Sequence, residues 1–291
     1  MIVCNLYGGL GNQMFQYAFG KSHAERTGED IYFSTDFSTD KSNFFKAAFN
    51  LEINFLNSRD LNQLFGPIYA NKYLRKSLGK FNNLPFSPKN FFFEKNYAFD
   101  PNFFNLEATN IKYFQGYWQS FKYFKGMEDL IRRDFKFFNT FSCIPISEKI
   151  EKVKSVAIHI RRGDYLSVQK NKSIYNVCSK DYYYQAIDIL SERFENLQFF
   201  VFSDDKKWAF DNICSLYKNS HLVDLNNYSD SSYLDMFLIS KCENQIIANS
   251  TFSWWGAWLN SNENKIVISP EAWYLNGNTT NDLLPYDWIR L

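Results

Sequence analysis

The chain has 291 residues, 45% of them hydrophobic and 22% charged, enough for one large or two smaller globular domains with ample core. Its net charge is +1 with no long run of one sign, so bulk electrostatics give no case for a nucleic-acid partner. Five scattered cysteines (Cys4, Cys143, Cys178, Cys214, Cys242), odd in number and never in a CxxC, point to reduced thiols, and three histidines (His23, His159, His221) without ligand spacing argue against a histidine-built metal site.

The opening "MIVCNL" is a short apolar run before glycines and predicts a strand; it is too soon broken for a signal peptide. No apolar run reaches the roughly 18 residues that a membrane span needs. Residues 12–27 place Met14, Phe15, Ala18 and Phe19 on one face, the period of a helix, which Gly28 stops. "IYFST" (31–35) reads as a second strand. The stretch 36–150 has no clean period. Within it, 81–101 reads as loops and short strands, and 113–124 as a strand, a turn at Gly116 and a helix running on through "MEDLIRRDF". "NTFSCIPIS" (139–147) reads as a linker, so the expected domains are 1–140 and 150–291, with room for the chain to cross back near its C-terminus.

From 155 the pattern sharpens. Strands are expected at 155–160, 197–203, 221–224, 244–249 and 265–269, and helices at 181–194, 206–217, 230–242 and 252–260. This alternation with short links is the signature of a parallel, doubly wound α/β sheet. Aromatic residues make up 20% of the chain, with 31 Phe; most are expected in the core, although a sugar-stacking cleft would use the same excess.

Ligands of such sheets bind beyond the carboxyl ends of the strands. Three of those ends carry polar residues: "HIRRGDY" (159–165), "FSDD" (202–205) and "ANSTFSWWG" (248–256). Adjacent Arg161 and Arg162 can clamp a diphosphate, because a guanidinium presents a planar fork to phosphate oxygens. The plainer alternative is a surface pair neutralised by Asp164. Asn249, Ser250 or Thr251 can cap the next helix, whose amide-rich tip suits an anion, with Ser253 adding a hydroxyl; Trp254, Trp255 and Trp258 read as core. Of Asp204 and Asp205, one is expected to cap a helix and the other to meet a ligand. They lack the D-x-D spacing of a metal-dependent sugar transferase. The opening turn, with Gly9, Gly11, Asn12 and Gln13, is neither a P-loop nor a G-x-G-x-x-G fingerprint. Its neutral amides suit hydroxyls better than phosphates.

Taken together, "GGLGNQMFQYAFG", "GYWQS" with "KYF", "HIRRGDY", "SDD" and "NSTFSWWGAWL" resemble the bacterial α-1,2-fucosyltransferases from near residue 5 to about 275, with little match over 36–110. The resemblance implies a GT-B fold of two Rossmann-like domains facing across a cleft. It implies inverting transfer of L-fucose from GDP-fucose to the 2-hydroxyl of a galactose-containing glycan acceptor, with no cofactor or metal. Arg161 and Arg162 would hold the diphosphate, with His159 near the nucleotide, the Asp204–Asp205 carboxylates near guanine, and Ser250, Thr251, Phe252 and Ser253 near phosphate. Gly9, Gly11, Asn12 and Gln13 would face fucose and acceptor. Asp164 would be a general base or an orienter of the arginines. The implied setting is cytoplasmic, with peripheral contact at the inner membrane face. Three rivals stay open at this stage: a GDP-sugar transferase of another linkage, a silent sugar-binding protein, and a nucleotide-dependent oxidoreductase. The last lacks its glycine fingerprint.

Overall fold

The computed structural model describes residues 1–35, 43–66, 73, 90–106, 111–225, 232–275 and 281–291, which divide into two compact units, Met1–Phe135 and Lys136–Leu291. The division falls a few residues before the expected linker. That stretch is not a free linker: a 3-10 turn covers Asn139–Cys143 and a helix starts at Pro145, where proline is at home because it has no amide to leave unpaired.

The first unit contains β1 (Ile2–Leu6), α1 (Leu10–Thr27), β2 (Ile31–Thr35), α2 (Asn43–Ala48), α3 (Ser58–Phe65), β3 (Phe91–Phe93), β4 (Lys112–Gln115) and α4 (Glu128–Asp134). Its four strands are all parallel, in the order β2-β1-β4-β3. Helix α1 starts two residues before its apolar period, at Leu10, and ends at Gly28 as expected. The helix expected to continue from 121 is interrupted. Phe121–Phe124 is a 3-10 turn, and Gly126, at φ 82°, separates it from α4. Part of the proline-punctuated stretch 81–101 lies outside the described residues; within it β3 is a strand.

Aromatic packing fills this unit. Phe19 stacks on Trp118 with ring centroids 4.0 Å apart and planes within 5°, and Phe114 and Tyr123 meet Phe19 edge-on. Such pairs contribute about 0.5–1.5 kcal/mol beyond the area they bury.

The second unit contains α5 (Pro145–Glu151), β5 (Ser155–Ile160), α6 (Gly163–Ser167), α7 (Gln169–Lys172), α8 (Lys180–Arg193), β6 (Gln198–Ser203), α9 (Lys206–Ala209), β7 (Ser220–Leu222), α10 (Ser232–Lys241), β8 (Asn244–Ile246), α11 (Thr251–Leu259), β9 (Val267–Ser269) and β10 (Ile289–Arg290). The sheet is again wholly parallel, in the order β10-β9-β8-β5-β6-β7. Counted from β5, that is the 3-2-1-4-5-6 order of a Rossmann sheet. The expected helix at 206–217 is shorter and less regular, with α9 passing into a π-helical turn at Phe210–Cys214. Edge strand β10 had no signal of its own in the sequence, being only two residues long.

Strand β5 is buried along its whole length, which is why it reads as a continuous apolar run rather than an alternation. Val156, Ile158 and Ile160 pack against Tyr183, Ile187 and Leu190 of α8. Ala157 belongs to the opposite layer, with Phe200, Phe202 and Leu234, Phe237 and Leu238 of α10. Helices on both faces leave only the strand ends open to a ligand.

Candidate active site

In a sheet of this order the crevice lies where the winding reverses, between β5 and β8. These strands are hydrogen-bonded neighbours, with Ile158 opposite Ile246. Arg161 and Asn249 each follow three residues later, so the arginine segment and the "NSTFS" segment leave the sheet side by side. Tyr165 ties them, its hydroxyl donating to the Asn249 carbonyl at 3.0 Å. The His159 ring lies 5.7 Å from that of Phe252.

The arginine turn is held by carboxylates from the end of β6. Asp204 accepts the backbone amides of Arg162 (2.9 Å) and Gly163 (3.0 Å), one on each oxygen. A Cβ on Gly163 would stand 2.9 Å from Asp204 Oδ2, so glycine lets the Asp204 carboxylate approach the turn closely. The Arg161 guanidinium bridges Asp164 Oδ1 at 2.7 Å and Asp204 Oδ2 at 3.1 Å. The Arg162 guanidinium lies 4.2 Å over the Trp208 ring, with its Nε 3.5 Å from Asp205 Oδ2. The expected pairing of Arg161 with Asp164 is therefore present, within a network rather than as an isolated surface pair.

Of the two tasks expected of the aspartates, the helix cap is present, and the other carboxylate spends both oxygens on the arginine turn. Asp205 caps α9 by accepting the Trp208 amide at 3.1 Å, and Asp204 faces the turn. Asp164 uses its second oxygen on the Asn171 amide at 3.1 Å. His159 is buried, its Nδ1 has no hydrogen-bond partner among the described residues, and burial together with the Arg161 charge lowers its pKa to about 3, so the ring is neutral.

The helix α11 begins after Ser250, whose side chain makes no capping bond. Expected cap Asn249 is instead buried, and its amide donates to the carbonyls of Asn176 and Trp273, pinning two loops. Ser253 is fully buried and its hydroxyl donates back to Ser250 O at 3.2 Å. What the segment offers a ligand is thus the half-exposed Thr251 and Phe252 and the first-turn amides, which have no carbonyl one turn behind them. Trp254, Trp255 and Trp258 are core, as read.

In the first unit, the glycine turn follows β1. Gly8 has φ 84°, and Gly9 accepts the amides of Asn12 (3.0 Å) and Gln13 (3.1 Å) through its carbonyl. Gly11 and Gln13 are buried; Gln13 Nε2 donates to Gly8 O at 3.0 Å and so stiffens the turn. Asn12 is half-buried, and its Oδ1 accepts Gln119 Nε2 at 2.9 Å.

Three further residues have roles that the sequence does not show, Tyr165 within the HIRRGDY stretch and Trp208 and Asp235 outside any motif. Trp208 supports Arg162, and Tyr165 joins two strand ends. Asp235 on α10 is a half-buried carboxyl pushed up to about 7 by burial, opposed by Lys206 and reinforced by Asp224. Only contact in three dimensions distinguishes them from ordinary residues of an aromatic-rich, charged chain. Among the described residues, no group of three or more His, Cys, Asp or Glu side chains could hold a metal ion, and no helix is long and apolar enough to cross a membrane.

A sequence profile described as Glycosyl transferase family 11 matches residues 1–291. The chain is 34% identical to an alpha-1,2-colitosyltransferase of Escherichia coli over 100% of its own length and 99% of that protein's. It is 26% identical to a galactoside 2-alpha-L-fucosyltransferase of Caenorhabditis elegans over 65% of its length and 53% of that protein's. The fold is similar to that of the fucosyltransferase NodZ from Bradyrhizobium, with TM-score 0.52 and 15% identity over 88% of this chain and 92% of that one. The two parallel, helix-flanked sheets are thus the two Rossmann-like halves of a GT-B-like α/β architecture.

Proposed function

Because the chain belongs to glycosyl transferase family 11, we propose that it transfers L-fucose, or a sugar differing from it only at the 3-position, from a GDP-linked donor to the 2-hydroxyl of a galactoside. Transfer inverts the anomeric carbon and needs no metal. The observation that carries this reading is the pair Arg161 and Arg162 at the switch point of a Rossmann-ordered sheet, beside the amide tip of α11.

Breaking the sugar–phosphate bond adds negative charge to the leaving diphosphate while the sugar gains oxocarbenium character. Cations already held in place stabilise that charge where it develops, without reorganising during the reaction. The carboxylates of Asp164, Asp204 and Asp205 hold the guanidinium groups before any donor arrives. Phosphate oxygens then take up donor N–H groups that these carboxylates leave unmatched. A neutral His159 beside Phe252 gives the nucleotide an apolar wall with no competing charge. Asp164, with both oxygens engaged, orients Arg161 rather than removing the acceptor proton.

The acceptor belongs with the first unit, where Asn12 is the half-buried amide of the glycine turn, while Gly11 and Gln13, expected on the acceptor side, are buried and shape that turn. We place the reaction in the cytoplasm at the inner membrane face, on precursors of surface polysaccharide; fractionation with an exported pool would remove that placement. A second donor reading is favoured by the full-length relative named for colitose, which is L-fucose without its 3-hydroxyl.

The test is a screen of GDP-fucose, GDP-colitose and GDP-mannose against lactose and methyl β-galactoside, in EDTA, with linkage and anomeric configuration determined by NMR. An α-1,2-linked product from a β-linked donor is expected. Failure to release GDP from any donor rejects enzymatic transfer, a product at another hydroxyl rejects the linkage, and loss of activity in EDTA rejects metal independence.

A further inference from the structure

The carboxyl ends of three neighbouring strands in the first unit carry a group of side chains that the donor chemistry does not use. Tyr7 follows β1, Glu94 follows β3, and Gly116, Tyr117 and Trp118 follow β4, in a sheet where β1, β4 and β3 are adjacent. Tyr7 and Tyr117 approach with ring centroids 5.0 Å apart at 52°, and Tyr97 lies 6.3 Å beyond Tyr117 at 30°. All three rings are partly exposed, whereas Trp118 behind them is fully buried.

These rings are fixed from behind. Glu94 accepts the Tyr117 amide at 2.6 Å on one oxygen and the Trp118 amide at 3.0 Å on the other. Trp118 is in the left-handed region at φ 54°, which costs a non-glycine residue on the order of 1–3 kcal/mol and persists only where surroundings impose it. Here the Glu94 carboxylate and the stack on Phe19 impose it. Gly116 has no room for a side chain: a Cβ would stand 2.4 Å from Glu94 Cβ. On the other flank, Gln16 accepts the Tyr7 amide at 2.8 Å and donates to Gly116 O at 3.1 Å. Gln119 reaches Asn12 in the glycine turn. A strained backbone, clamped by buried polar groups and presenting aromatic rings outward, is a preorganised surface rather than a by-product of core packing.

We propose that this strand edge is a carbohydrate platform, on which Tyr7, Tyr97 and Tyr117 receive the acceptor's sugar rings and Glu94 is the positioning residue that fixes the Tyr117–Trp118 backbone. The chemistry selects the ligand class. Aromatic faces take the C–H faces of a pyranose, and the phenol hydroxyls and the half-buried amide of Asn12 take its hydroxyls. A hydroxyl-bearing glycan fits such a surface. The proposal rests on the glycosyl-transfer reading for its acceptor, but its test separates from that reading.

In purified protein, Tyr117→Ala, Tyr97→Ala and Glu94→Ala are compared with wild type in two assays. GDP release from GDP-fucose without acceptor reports donor turnover, and the KM for lactose reports the platform. A rise in lactose KM of about ten-fold or more, with GDP release within two-fold of wild type, is the expected result. Lactose KM within two-fold of wild type in the Tyr117 and Tyr97 variants overturns the platform, as does an equal fall in both assays. The half-exposed Tyr97 keeps the test decisive if Tyr117→Ala does not fold. Partial recovery of KM by Glu94→Asp over Glu94→Ala is expected of a carboxylate that holds amides; equal KM for the two variants removes Glu94 from the proposal. If wild type releases no GDP from any donor, the transfer reading fails by itself. Saturation-transfer NMR with lactose or methyl β-galactoside then decides the platform: ligand signals lost in Tyr117→Ala or Tyr97→Ala support it, and signals kept in both overturn it.

Discussion

Asp204 holds the backbone amide of Arg162 at 2.9 Å, from a strand end 42 residues away in sequence. Its other oxygen holds Gly163, and the same oxygen pairs with Arg161. One carboxylate therefore sets both the backbone and the charge of the arginine turn. Asp204→Ala is expected to lower kcat/KM for the donor by about 10²-fold or more, an effect of the size seen when a preorganised electrostatic group is lost. Gly163→Ala should do similar damage with every charge intact, because its Cβ would stand 2.9 Å from Asp204 Oδ2. Donor kinetics of the two variants are the check; a Gly163→Ala enzyme with wild-type kcat/KM would show that the turn geometry is irrelevant.

Arg162 stacks on Trp208, which distinguishes the demands of charge from those of shape. Arg162→Ala should cost roughly 10²–10³ in kcat. Arg162→Lys keeps the charge but loses the planar fork and the stacked face, so it should recover little. Near-normal turnover of GDP-fucose with lactose by Arg162→Ala would reject the clamp. Trp208→Leu, which leaves the guanidinium but removes its support, should raise donor KM more than it lowers kcat.

Asp164 has Arg161 on one oxygen and Asn171 on the other. A carboxylate so engaged is poorly placed to accept a proton from a hydroxyl. Asp164→Asn is therefore expected to lower the rate while leaving the acidic limb of the pH–rate profile in place. Disappearance of that limb in the variant would make Asp164 the base.

The two halves of the chain were legible to different degrees, for a physical reason. From 155 onward, strands buried on both faces give apolar runs, and the intervening helices are punctuated by polar residues, so element order and the three polar strand ends could be read directly. Between 36 and 150 the apolar residues follow no single period, and the 3-10 turn at 121–124 resembles a helix start until Gly126 interrupts it. Within the site, Arg161, Arg162 and Asp164 were readable because charge at a strand end is conspicuous. Of the three cap candidates Ser250 takes the N-cap position without a side-chain capping bond, and Asn249 binds distant carbonyls instead. Glu94 was silent because its role lies in two amides that only the folded backbone delivers.

Buried titratable groups set opposing pH dependences of stability. His23 sits among Phe19, Phe104 and Phe114 with both ring nitrogens unpartnered among the described residues; burial first and the Lys112 charge second lower its pKa to about 4. His159 is lowered in the same direction, to about 3. A histidine whose folded pKa lies below its unfolded value of about 6.5 binds its proton more tightly when unfolded. Stability is then fully present above about 6.5 and falls as the pH drops towards 4. Glu94 and Asp235, both raised to about 7 by burial, act with the opposite sign: their contribution is present at low pH and is lost as the pH rises from about 4 through 7. Between pH 4.5 and 6.5 the two pairs offset one another, so wild-type stability should vary little there. His23→Phe removes one side of the balance and keeps the aromatic packing. Its urea midpoint relative to wild type should rise steadily as the pH is lowered from 7 to 5, and a difference independent of pH would mean that His23 is not buried as a neutral ring.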